Sequence, residues 1–177
     1  VLDTVGVTLA GLDAPATTAA RRALDADSET GGAFVAGTAG HALDFDDVCL
    51  AGMDGHPSVT MVAPALLVGA PTDATGADLL AAYVAGFETQ CYLAAPISPG
   101  HYERGWHATA TLCTFGAAAA VAHLLDADAS AVRTALNVSA SSAAGLKRNF
   151  GSTTKPMHAG QAARAGTTAA RLAAEGF

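Results

Sequence analysis

Between Gly105 and Leu125 the chain reads GWHATATLCTFGAAAAVAHLL, without a single charged residue. By length the run matches a bilayer span. Its content points elsewhere: His107, His123, Thr109, Thr111 and Thr114 interrupt a stretch otherwise dominated by alanine. Such polar groups are far easier to satisfy inside a protein than in hydrocarbon. A helix apolar on all sides needs neighbours on all sides, so this segment demands a bundle built around it. The rest of the chain can supply one. Apolar residues make up 51%, charged residues 14% and Phe, Tyr and Trp together 6%, a balance that favours closely packed small-residue helices over sheets. No strand-like alternation, internal repeat or linker composition interrupts it. The expectation is one all-α domain spanning residues 1–177.

Hydrophobic spacing and punctuation place the helices. Leu2, Val5 and Leu9 stand at helical spacing and predict a first helix that Gly11 ends. Pro15 opens a second, to about Ala26, and Ser28–Gly32 reads as a polar turn. Ala33–Leu43 predicts a helix in which Gly37 and Gly40 allow a neighbour to come close. Ser58–Gly69 follows, with Pro64 kinking or shortening its first turns. Thr75 and Asp78 form a capping box for Ala77–Ala95, where Leu80, Val84, Phe87, Cys91, Leu93 and Ala94 are expected to face the core. Further helices are predicted at His107–Leu125, from Ala129 behind an Asp128 cap to about Ala144, and from Pro156 to Glu175. Three loops remain, Asp44–Pro57, Pro96–His107 and Gly145–His158, and the chemistry is expected there.

The net charge of −7 argues against a general nucleic-acid surface. Cys49, Cys91 and Cys113 are too scattered for a zinc pattern, and an odd number makes a poor disulfide framework. With no signal-peptide pattern at Val1, a cytoplasmic protein is the expectation, with no membrane partner.

Polar groups concentrate in the three loops. In HALDFDDVCLAGMDGHPS, Asp44, Asp46 and Asp47 crowd an expected helix C-terminus against the macrodipole, and Asp44 and Asp47 fall at i, i+3. A segment that breaks two local rules is a candidate site; the bland reading is a solvated acidic loop. His41, one turn earlier, either orients Asp44 or packs. Both lysines, Lys147 and Lys155, lie in GLKRNFGSTTKPMHAG with Arg148 and His158. That is either a local anion site, to which backbone N–H groups at the next helix start would add, or an ordinary basic connection. His107 opens the buried helix as a cap, a core residue or a site residue, while His101 and Arg104 are loop residues of unread direction. Two chemistries fit: proton transfer beside a carboxylate, or a divalent metal on Asp44, Asp46, Asp47 and His56.

The segments LDTVGVTLAG, GTAGHALDFDD, GHPS, LLAAYVAGFE, SPGHYERGWHATATLCTFGAAAA and NFGSTTKPMHAG resemble, in order, the MmgE/PrpD family. These are 2-methylcitrate dehydratase-like proteins that include cis-aconitate decarboxylase and iminodisuccinate epimerase. The resemblance implies the large helical-bundle domain of that family, a homodimer, and cofactor-free lyase or isomerase chemistry on a small di- or tricarboxylate. The matching catalytic positions would be Asp44, His56, His107, Lys155 and His158, with no metal; Lys147, Arg148, Arg104 and His101 are the candidate substrate-binding residues around them. Val48 stands where the family usually has Thr after DFDD. Family members continue into an α+β lid, expected to begin where this chain stops, so residues 1–177 read as part of a longer two-domain protein, or as a truncated relative with little lyase activity. Two other readings stand beside it: a metal-dependent all-α enzyme using the Asp44, Asp46 and Asp47 cluster, and a non-catalytic helical oligomerisation fragment.

Overall fold

The computed structural model describes every residue from Val1 to Phe177 and contains only helices and connections. In chain order these are α1 (Leu2–Ala10), α2 (Pro15–Ala23), α3 (Glu29–His41), α4 (Val62–Gly69), α5 (Gly76–Ala94), α6 (Gly100–Glu103), α7 (Ala108–Leu124), α8 (Ala129–Ser142) and α9 (Thr154–Ala174). The all-α reading holds. The uncharged run is α7, buried along its length except at Phe115, His123 and Leu124 and packed against α4, α5, α8 and α9. Its threonines are satisfied inside the bundle: Thr114 Oγ1 donates to Ala110 O and Thr111 Oγ1 to His107 O. No helix is long and apolar enough to cross a membrane.

Capping chemistry fixes several boundaries. The Thr75–Asp78 capping box forms reciprocally, and Asp128 accepts from Ala131 N–H. Ser28 is no turn residue. Its Oγ accepts from Gly31 N–H at 3.2 Å, so α3 begins at Glu29, earlier than hydrophobic spacing suggests. At the other end α3 stops at His41, which puts Asp44, Asp46 and Asp47 beyond the helix. The expected clash with its macrodipole and the shared face of Asp44 and Asp47 therefore do not arise. Ser58–Thr60 is a separate 3₁₀ turn before α4, and Pro64 sits where its missing N–H costs nothing.

Glycine sets how closely the long helices approach. α3 and α9 run antiparallel, and a Cβ on Gly160 would sit 2.2 Å from Thr38 Oγ1 and 2.3 Å from Phe34 O. Gly37 meets the Ala159–Gly160 backbone in the same way. α9 runs parallel to α7, with Gly166 against Thr114 O and Ala117, and α5 crosses α7 where Gly86 faces Gly116 O. These contacts place the C-terminal end of α3 beside the N-terminal ends of α7 and α9.

They also correct the expected core face of α5 at Leu80 and Val84, while Ala94 is buried as expected and Cys91 and Leu93 pack against the core. Leu80 and Val84 are 57% and 55% exposed, while α5 buries Ala82, Gly86, Gln90 and Ala94. In α1, Leu2 and Leu9 are exposed and Thr4 is buried. Where helices touch through backbone, the small-residue stripe must face inward, and bulky side chains are left at the rim.

Candidate active site

Immediately after α3 the chain turns sharply at Asp44, whose φ of 58° lies in the left-handed region that Asp tolerates. The turn sends Asp46 inward, where it is 4% exposed. His41 Nδ1 lies 2.9 and 3.1 Å from its two oxygens, and His56 Nδ1 lies 3.2 Å from Oδ2. The two rings meet edge to face at 4.5 Å. The intervening loop is closed by Cys49 N–H donating to Gly55 O at 2.9 Å, and Met53 is seated at the α5–α7 junction. His56 N–H donates to Thr109 Oγ1 at 2.9 Å, tying this loop to α7.

The other wall comes from the starts of α7 and α9. His107 caps α7, and its N–H donates to Gly145 O while Lys147 N–H donates to Gly105 O, which zips the second and third loops together. Its Nδ1 lies 3.0 Å from Nδ1 of His158. His41 stacks on His107 at 5.7 Å, and the ring of Phe150 stands edge-on to it at 4.8 Å. Lys155 Nζ donates to Asp44 Oδ1 at 2.5 Å, with His56 Nε2 3.7 Å from the same oxygen. His41, Asp44 and Lys155 border a cavity of about 350 Å³ that is also lined by Ala14–Ala16, Gly151–Thr153 and Pro156.

Burial alone would push the carboxyl of Asp46 up, but hydrogen bonds and charge from His41 and His56 outweigh it and hold it well below the usual carboxylate range. Burial likewise opposes a charge on His56, and Asp46 overcomes it, so His56 is raised. Asp44 is lowered: its partial burial is offset by the Lys155 hydrogen bond and charge. His107 goes the other way. Burial first, then the positive field of His41, His158 and Lys155, pushes it down to about 2, and burial with His41 lowers His158. The site therefore divides into a carboxylate-paired side, Asp46 with a raised His56 and Asp44 with Lys155, and a pair of imidazoles whose pKa is lowered. Two neutral rings joined Nδ1 to Nδ1 share one proton, so the tautomer of His107 fixes that of His158.

Five of the sequence-predicted residues, Asp44, His56, His107, Lys155 and His158, are thus brought together. His101, Arg104, Lys147 and Arg148 make their contacts elsewhere. His101 Nε2 lies 2.7 Å from Thr111 Oγ1, Lys147 Nζ donates to Tyr102 O and lies over the Tyr102 ring, and Arg104 and Arg148 are exposed. The extra backbone donors expected at the start of α9 are largely spent, since Thr154 N–H goes to Ser152 Oγ and Lys155 N–H to Ser152 O. Sequence reasoning underrated Asp46 and His41. Their i, i+5 spacing has no helical meaning, and only the turn at Asp44 makes them partners. Asp47 leaves the cluster, accepting from Ser58 Oγ at 2.6 Å, which also meets Tyr83 Oη. The acidic set that could hold a cation is therefore His41, Asp44, Asp46 and His56, with ligand atoms within 4.8 Å of one another.

The whole chain, residues 1–177, matches the model of the MmgE/PrpD N-terminal domain. It belongs to the MmgE/PrpD family. Among curated proteins it is 34% identical over 148 residues to the cis-aconitate decarboxylase of Homo sapiens, and 33% identical over 154 residues to that of Mus musculus. Each match covers 82% of this chain but only 31% and 30% of the relative, so the chain spans about a third of the length of these relatives. The all-helical architecture is that of this N-terminal domain.

Proposed function

We propose that this MmgE/PrpD domain supplies the basic wall of the active site of a lyase or isomerase that acts on a small di- or tricarboxylate without a cofactor. The observation that carries the reading is the buried, neutral His107–His158 pair set against the Lys155–Asp44 and His56–Asp46 ion pairs. A carboxylate of the substrate takes the place of Asp44 on Lys155, and His56 holds a second one. His107 Nε2 removes the proton α to a carboxylate once the negative charge of the bound substrate offsets the positive field that holds His107 low, and its Nδ1–H donates to Nδ1 of His158. Lys155 and His56 stabilise the charge that develops on the substrate carboxylate. Dehydration, decarboxylation and epimerisation all pass through such a carbanion, so one set of groups serves each. The similarity to cis-aconitate decarboxylase supports a decarboxylase or dehydratase in particular.

The expected test is turnover of cis-aconitate, methylcitrate, citrate and iminodisuccinate by the full-length polypeptide and its His107→Ala variant. Losing a proton-transfer group lowers the rate by about 10²–10⁴-fold, with the circular dichroism spectrum unchanged. Near-normal turnover in the variant overturns the assignment.

The clustering of His41, Asp44, Asp46 and His56 favours a second reading, a metal-dependent enzyme. Against it, Lys155 already sits on Asp44 and repels a cation there. Titration with Mn²⁺ or Zn²⁺ followed calorimetrically separates the two: stoichiometric binding lost in Asp46→Asn, with activity abolished by a chelator, replaces the first reading by the second.

A further inference from the structure

The loop that carries Asp46 and His56 also carries Cys49, and Cys49 faces Cys91 of α5. The two come from distant parts of the sequence, yet both thiols lie against Gly52. A Cβ there would be 2.8 Å from Cys49 Sγ and 3.1 Å from Cys91 Sγ, so one small gap holds both thiols. Both cysteines are partly exposed. Nothing in the proposed chemistry uses them. Cys113, the remaining cysteine, is fully buried under the site, with its Sγ donating to His56 O at 3.5 Å.

We propose that Cys49 and Cys91 are a dithiol pair that a peroxide oxidises to a disulfide, clipping the active-site loop to α5. The thiolate of Cys49 attacks one peroxide oxygen, breaking the O–O bond and becoming a sulfenic acid as water leaves. Cys91 then attacks the Cys49 sulfur, the S–S bond forms, and a second water departs. Two thiols give up two electrons and two protons, and the peroxide is reduced to two waters. A small dithiol reverses the step by exchange. The order of attack follows from the surroundings of Cys91, whose thiol is pushed up to about 11 by burial and then by the nearby Cys49, which leaves it as the second nucleophile. The crosslink would hold the Cys49–Gly55 loop and its Met53 anchor against α5, immediately before His56.

The test is covalent and needs no turnover, so it stands or falls apart from the proposed reaction. Folded, reduced protein is treated with one equivalent of hydrogen peroxide, denatured, and alkylated with N-ethylmaleimide. The expected result is one alkylated cysteine, Cys113, and a Cys49–Cys91 linked peptide after cleavage at acidic residues, which separates the two cysteines at Glu88. The product has lost two hydrogens and regains both thiols with dithiothreitol. Amide exchange over residues 45–57 slows in the oxidised form. Cys91→Ser abolishes the link and leaves a sulfenic acid at Cys49 that dimedone traps, whereas Cys113→Ser still forms the link. Three alkylated cysteines after peroxide, a sulfinic acid at Cys49 in the wild type without a link, or a bond joining two chains each overturns the proposal.

Discussion

Asp46 is the residue on which the charged half of the site depends, because its one carboxylate serves two imidazoles. Replacing it with Asn keeps the shape and removes the charge. Breaking a buried ion pair of this kind costs about 3 kcal/mol, and His56 loses the partner that raises it. The pH dependence has a definite sign. Asp46 is depressed in the fold, so its contribution is present above about pH 4, the ordinary carboxylate range, and fades as pH falls through the lower folded value. His56 is raised, so its contribution is complete below about pH 6.5 and is lost as pH climbs through the raised value. Urea unfolding of wild type and Asp46→Asn should therefore differ most between about pH 4 and 6.5, with the difference narrowing at higher pH as His56 loses its charge; an equal difference at every pH would show that the pair is not ionised. At this scale the sequence revealed the right residue types in the right loops. It ranked Asp44 above Asp46, because which acid turns inward is decided by one backbone turn that no spacing rule encodes.

Among the helices, the antiparallel contact of α3 with α9 does most to assemble the site. It sets Lys155 and His158 opposite His41 and Asp44. Gly160→Ala places a methyl group on the Phe34 carbonyl, where no side chain can yield. The expected outcome is a loss of about 1–3 kcal/mol in urea unfolding, together with a fall in turnover as the two walls separate. Thr75→Ala at the N-terminus of α5 is the matched control: losing the capping box costs about 1 kcal/mol and leaves turnover unchanged, since that end of α5 is remote from the site. The elements themselves were legible from caps, prolines and the uncharged run. Their inward faces were not. Leu80, Val84 and Leu9 carry the helical spacing of a core yet are exposed, because in a glycine- and alanine-lined bundle the closest approach belongs to the smallest residues.

For the molecule as a whole, the apolar stripe Leu80, Val84 and Tyr92 along α5 and the exposed Phe45, Val48 and Leu50 of the site loop offer surface to partners. We propose a homodimer that uses the α5 stripe, and a second domain of the same polypeptide closing over the site. Val84→Asp should shift the sedimenting species of the full-length protein from dimer to monomer without changing its helix content; an unchanged dimer would move the interface elsewhere. What could be read from residues alone was a bundle forced into being by one uncharged helix, its family, and three loops rich in carboxylate, lysine and histidine. Those properties are local, written in propensity, capping and composition. Which groups meet, which histidine is raised and which is lowered, and which cysteines face each other depend on helix approach and burial. Both arise only when segments far apart in the chain remove each other from water.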